Sequence, residues 1–142
     1  MKPIAITLND LTEFEKGYII AALWTMDDDA PSGEYSTSGR LEELFPLIAQ
    51  DALKQIIVDC NKFTNDREIQ ILLAQAGNDS QNGHDFFLTR NGHGCGFWDR
   101  GYDKEAEGST LSVGDLLTEK CHAFGEADLY EGDDGKLYYQ AP

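Results

Sequence analysis

At 142 residues the chain has the usual length of one domain, and its 41% hydrophobic residues are enough to build a core, which argues against wholesale disorder. Acids outnumber bases 26 to 11, for a formal net charge of -15 spread along the chain. A field of that sign repels nucleic acid and anionic membrane, so neither is expected as a direct partner, and it draws in cationic surfaces.

The longest apolar stretches, such as residues 18–24 and 44–49, fall well short of the roughly 20 residues a membrane span needs. Met1-Lys2-Pro3-Ile4 lacks the apolar run of a secretory leader, so the expected location is the cytoplasm. Cys60, Cys95 and Cys121 are odd in number, and Cys60 and Cys121 fall on apolar helical faces, which suits reduced, buried thiols.

In chain order, the alternation Ile4-Ala5-Ile6-Thr7-Leu8 predicts a short strand. Asp10 to Met26 predicts a helix, because Thr12 and Glu15 have the spacing of a reciprocal cap and Phe14, Tyr18, Ala21 and Ala22 share one face. Asp27-Asp28-Asp29 with Pro31, Ser32 and Gly33 predicts a polar loop. Residues 38–63 predict two helices in tandem divided at Pro46, which suits a first helical turn better than an interior. Asn65 and Glu68 repeat the capping spacing ahead of a third helix closed by Gly77, and residues 78–83 predict a loop.

Beyond that point Phe86-Phe87-Leu88-Thr89-Arg90 and Gly96-Phe97-Trp98-Asp99 flank Asn91-Gly92-His93-Gly94, which predicts a β-hairpin over residues 84–100. A glycine-rich acidic loop, a helix over residues 110–124 stopped by Gly125, and a second hairpin around Asp133-Asp134-Gly135 complete the chain. Helices followed by hairpins predict a single α+β domain: N-terminal helices on a small antiparallel sheet, with a helix between two C-terminal hairpins.

The densest chemistry lies in residues 84–101. His84, Asp85, His93 and Asp99 are the candidate catalytic residues, since a carboxylate that orients a histidine makes a general base. A plain cross-strand ion pair accounts for the same residues, and no nucleophile motif accompanies them. A zinc site from His84, His93 and Cys95 with Cys121-His122 lacks recognised ligand spacing, and Asp27-Asp28-Asp29 and Asp133-Asp134 lack the alternating ligands of a calcium loop, so no metal and no cofactor is expected. Arg90, Trp98, Arg100, Tyr130, Asp133 and Asp134 are the candidate binding residues, with the aromatic rings as interface anchors.

The segments His84-Asp85-Phe86-Phe87-Leu88-Thr89-Arg90-Asn91-Gly92-His93-Gly94 and Gly96-Phe97-Trp98-Asp99-Arg100-Gly101, with Asp128-Leu129-Tyr130 and Asp133-Asp134-Gly135, resemble a family of short bacteriophage and mobile-element proteins. Ala21-Ala22-Leu23-Trp24 extends the resemblance to the N-terminal helix, while Cys95 stands where that family more often has alanine. The resemblance implies a context, a host-cell cytoplasm, and no catalytic residue. With the charge, it leads to the expectation of an accessory protein that binds and inhibits or modulates a basic, nucleic-acid-handling host protein, with DNA mimicry against restriction or another defence system as one form. The alternatives are a small enzyme on the 84–100 segment and a non-catalytic module whose aromatic face makes a homodimer.

Overall fold

The computed structural model describes residues 5–27, 37–92, 96–97 and 111–142. The helices are α1 (Glu13–Asp27), α2 (Thr37–Leu44), α3 (Gln50–Thr64), α4 (Arg67–Leu73), α5 (Asp79–Arg90) and α6 (Val113–His122), with 3-10 turns at Leu8–Asp10 and Phe45–Leu47. Strands β1 (Asp128–Glu131) and β2 (Leu137–Gln140) pair antiparallel, Leu129 against Tyr139 and Tyr130 against Tyr138. The α+β class expected from the sequence is the one observed. Among the described residues, no helix is long and apolar enough to cross a membrane.

Helix α1 starts where the spacing predicts. The Thr12 amide donates to Glu15 Oε1 at 2.8 Å and the Glu15 amide to Thr12 Oγ1 at 3.1 Å, satisfying two amides that no helical carbonyl reaches. The predicted N-terminal strand does not form. Asp10 Oδ2 accepts from the Thr7 amide and turns the chain into the 3-10 helix, while Gln50 bonds both the amide and the carbonyl of Ile6 as a strand neighbour would. The third helix begins one residue later than expected: Asp66 caps α4 by accepting from Ile69, and the Asn65–Glu68 box is not used.

The largest departure lies at residues 78–90. Asn78 accepts from the Gln81 amide at 2.8 Å and opens α5, which runs to Arg90 through residues read above as a loop and a strand. Gly92, at φ +70°, ends that helix instead of turning a hairpin. The sheet therefore holds one C-terminal hairpin among the described residues, and α6 precedes it. In that hairpin Gly135, at φ +79°, takes the left-handed position that the Asp-Gly turn requires.

Helices α1 and α5 cross in the middle of one buried core. Phe86 stacks on Phe63 of α3 with ring centroids 4.0 Å apart, and Tyr18 meets the edge of Phe87 at 5.2 Å. Phe97, Leu117, Leu129 and Leu137 close this core, which sets the hairpin against its rim with one face inward.

Candidate functional site

Alternation along the two strands divides the hairpin into an inner and an outer face. Leu129, Leu137 and Tyr139 are buried; Asp128 and Tyr130 are exposed, and Tyr138 and Gln140 share their side. On that outer side the Tyr130 and Tyr138 rings lie 5.9 Å apart at 31°. Tyr138 donates its hydroxyl to Asp134, which holds the Asp134 carboxyl below its usual range and raises the phenol. Asp128 is exposed on this side and Asp133 and Asp134 are exposed in the adjoining turn with Lys136, while Glu131 is exposed on the other face. An aromatic pair with one ring exposed and one half-buried, beside exposed carboxylates, is suited to stack and pair with guanidinium or ammonium groups.

The inner face is fixed by Arg90, the last residue of α5. Its Nη1 donates to Asp59 Oδ2 at 2.9 Å, to the Tyr18 hydroxyl at 3.0 Å and to the Tyr139 hydroxyl at 3.1 Å. Its Nε and Nη2 reach the Gly125 and Phe124 carbonyls just past α6, which lack helical partners of their own. The Tyr139 hydroxyl also donates to Asp59 at 2.7 Å and meets that of Tyr18, so α1, α3, α5, α6 and β2 converge on one guanidinium. Burial opposes the Arg90 charge, and the Tyr18 and Tyr139 hydroxyls with Asp59 outweigh it, leaving the pKa above its ordinary value. Burial is likewise the main cause that raises both tyrosines, which therefore stay neutral and cannot act as bases at ordinary pH.

An open groove of about 360 Å³ is lined by Asp59 and Tyr139 of this cluster together with Lys54, Val58, Lys62 and Pro142. Asp59 accepts from both Arg90 and Tyr139 through Oδ2. The arrangement holds elements together, with the Arg90 and Asp59 charges paired to each other.

The sequence-predicted residues divide sharply. Tyr130, Asp133 and Asp134 are brought together on the hairpin surface. Arg90, expected to bind a partner, is buried with its guanidinium turned inward, because α5 replaces the strand that would have exposed it. His84 and Asp85 are neighbours on α5 and not members of facing strands. His84 stacks on Trp24 with centroids 6.1 Å apart, and its Nδ1 lies 3.7 Å from Asp85 Oδ1. Asp85 is fully buried, so its carboxylate sits beside the imidazole on the core side, out of reach of solvent. His93, Cys95, Trp98, Asp99 and Arg100 lie outside the described residues. Cys60 and Cys121 are free and buried, and burial raises both thiols, which keeps them protonated and weak as nucleophiles or ligands. No group of three or more potential metal ligands occurs among the described residues.

Sequence reasoning missed Asp59 and Tyr138. Asp59 reads as a solvated position on an amphipathic helix, and only the folding of α3 against β2 brings it to Arg90. Tyr138 is signalled only by its register opposite Tyr130, which the Asp-Gly turn fixes. No family model, no curated protein and no solved structure matches the chain.

Proposed function

We propose that this chain is an acidic binding protein that docks a cationic host protein on the outer side of its C-terminal hairpin. The observation that carries the reading is the Tyr130–Tyr138 pair on the same side as Asp128, with Asp133 and Asp134 in the adjoining turn. Aromatic anchors inside a polar rim are the usual composition of a protein-binding patch, and carboxylates around them select arginine- and lysine-rich partners while raising the association rate. The net charge of -15 supports the same choice of partner.

Nucleic-acid-handling proteins present the most strongly basic surfaces available to such a patch, so the activity proposed is inhibition or modulation of one by competition with its nucleic acid, as a DNA mimic would act. The phage or mobile-element context rests on the sequence resemblance alone.

The test is affinity capture from host lysate at low salt, followed by elution with rising salt and, separately, with duplex DNA. Basic nucleic-acid-binding proteins should be retained, released as ionic strength rises, and displaced by DNA. They should not be retained by a Tyr130→Ser, Asp133→Asn, Asp134→Asn variant. Capture that is indifferent to salt and DNA, or unchanged in that variant, would overturn the proposal.

A further inference from the structure

The hydrogen-bond register of the hairpin shows which backbone groups face outward. Gly132 donates its amide to the Lys136 carbonyl at 2.8 Å, so Gly132–Lys136 is a hydrogen-bonded pair of the ladder. In an antiparallel ladder such pairs alternate with non-bonded ones. Tyr130–Tyr138 and Asp128–Gln140 are then bonded pairs, while Leu129–Tyr139 and Glu131–Leu137 point their amides and carbonyls away from each other. The β2 side agrees: the Leu137 carbonyl faces out and accepts from the Ala49 amide at 2.8 Å, in the parallel bridge with Ile48.

On the β1 side the equivalent groups belong to Leu129 and Glu131, and no described residue bonds to them outside the hairpin. The edge is short, extended, and carries Asp128 and Tyr130 on one face and Glu131 on the other, all exposed. An added strand would place alternate side chains beside Asp128 and Tyr130, and the intervening ones beside Leu129 and Glu131.

We propose that the cationic partner engages this protein by strand addition: an extended segment of alternating basic and apolar residues pairs with the β1 edge. Its basic side chains lie over the Tyr130 ring and against Asp128. Backbone hydrogen bonds to Leu129 and Glu131 supply affinity, and the outer face supplies the preference for positive charge. This rests on the binding reading above and adds the mode and the shape of the ligand; an extended edge rimmed by carboxylates favours a cationic strand over a helix, which has no free backbone groups to offer it.

The experiment uses the whole chain and two probes of equal charge, acetyl-(Arg-Val)4-amide and the same peptide methylated at every backbone amide. The unmethylated peptide should bind at least tenfold more tightly, and it should slow hydrogen exchange at the Leu129 and Glu131 amides at least tenfold. Glu131→Pro removes the outward amide without breaking a ladder bond, since proline is tolerated on the open side of an edge strand. It should weaken the unmethylated peptide about tenfold relative to Glu131→Gln, which removes the same charge, and thermal melting should confirm that both variants fold. Equal binding of the two peptides, with Leu129 and Glu131 exchanging as before, would overturn strand addition and leave the cationic-partner reading standing. Binding of neither peptide would overturn both for this surface.

Discussion

Gly17 of α1 and Gly83 of α5 face each other's helix backbone where the two helices cross. A Cβ on Gly17 would lie 1.9 Å from the Ser80 carbonyl oxygen, and one on Gly83 would lie 1.8 Å from that of Phe14. Neither neighbour is a side chain that can swing aside, so the helices must separate. Gly17→Ala and Gly83→Ala should each destabilise the fold by about 3 kcal/mol, at the upper end of overpacking penalties despite alanine's better helix propensity. Once one substitution has parted the helices the second meets less resistance, so the double variant should lose less than the sum. Chemical denaturation of the three variants checks this, and a near-neutral single substitution would refute the close crossing.

Removing the Asp59 carboxylate leaves the Arg90 guanidinium buried beside two neutral phenols. Asp59→Ala should cost about 3 kcal/mol, the lower part of the range for breaking a buried pair, because Asp59 keeps some solvent contact while Arg90 keeps almost none. Arg90→Lys should not restore stability, since an ammonium cannot span Asp59, the Phe124 and Gly125 carbonyls and both hydroxyls. Denaturant midpoints for the two variants decide it.

Tyr18 and Tyr139 give the protein an alkaline limit. Both are raised from the ordinary phenol value of 10.0, burial being the largest cause in each case. Below pH 10 neither state ionises and their contribution to stability is fully present. Above it the unfolded chain releases protons that the native state retains, so stability falls with rising pH, by about 1.4 kcal/mol per unit for each tyrosine. Urea midpoints between pH 8 and pH 11 should decline accordingly, with phenolate absorbance from these two residues appearing only on unfolding. Tyr139→Phe should reduce the slope by about 1.4 kcal/mol per pH unit.

The outer side of the hairpin has its own titration. Asp134 is held low chiefly by the Tyr138 hydroxyl and also by the Lys136 amide, so Tyr138→Phe should move its pKa upward toward the ordinary aspartate value. Carboxyl chemical shifts followed against pH would show the change, and an unmoved Asp134 would mean the hydroxyl contact is not kept in solution.

What was legible in the sequence was local and reciprocal. Thr12 with Glu15 and Asp134 with Gly135 specify their caps and turns through residues a few positions apart, and both are found where expected. Residues 84–92 misled for a physical reason: a glycine at positive φ after an asparagine ends a helix as readily as it turns a hairpin. Phe86 and Phe87 suit either element. The deciding signal was upstream, in Asn78 as a cap and in Asn82, Phe86 and Thr89 recurring at helical spacing, all buried on α5. For the site, Tyr130, Asp133 and Asp134 followed from turn chemistry. The Arg90 cluster joins residues up to 121 positions apart, and no local pattern encodes it.

The open side of β1 also bears on solubility. An edge that pairs with no described residue outside its hairpin is a template for self-assembly, and a second copy of this chain would bring its own Asp128 and Glu131 against the first. Repulsion between these like charges opposes such pairing. Asp128→Asn with Glu131→Gln removes that guard while leaving the backbone of the edge as it is, and the predicted result is sheet-rich aggregation beginning at Asp128–Glu131.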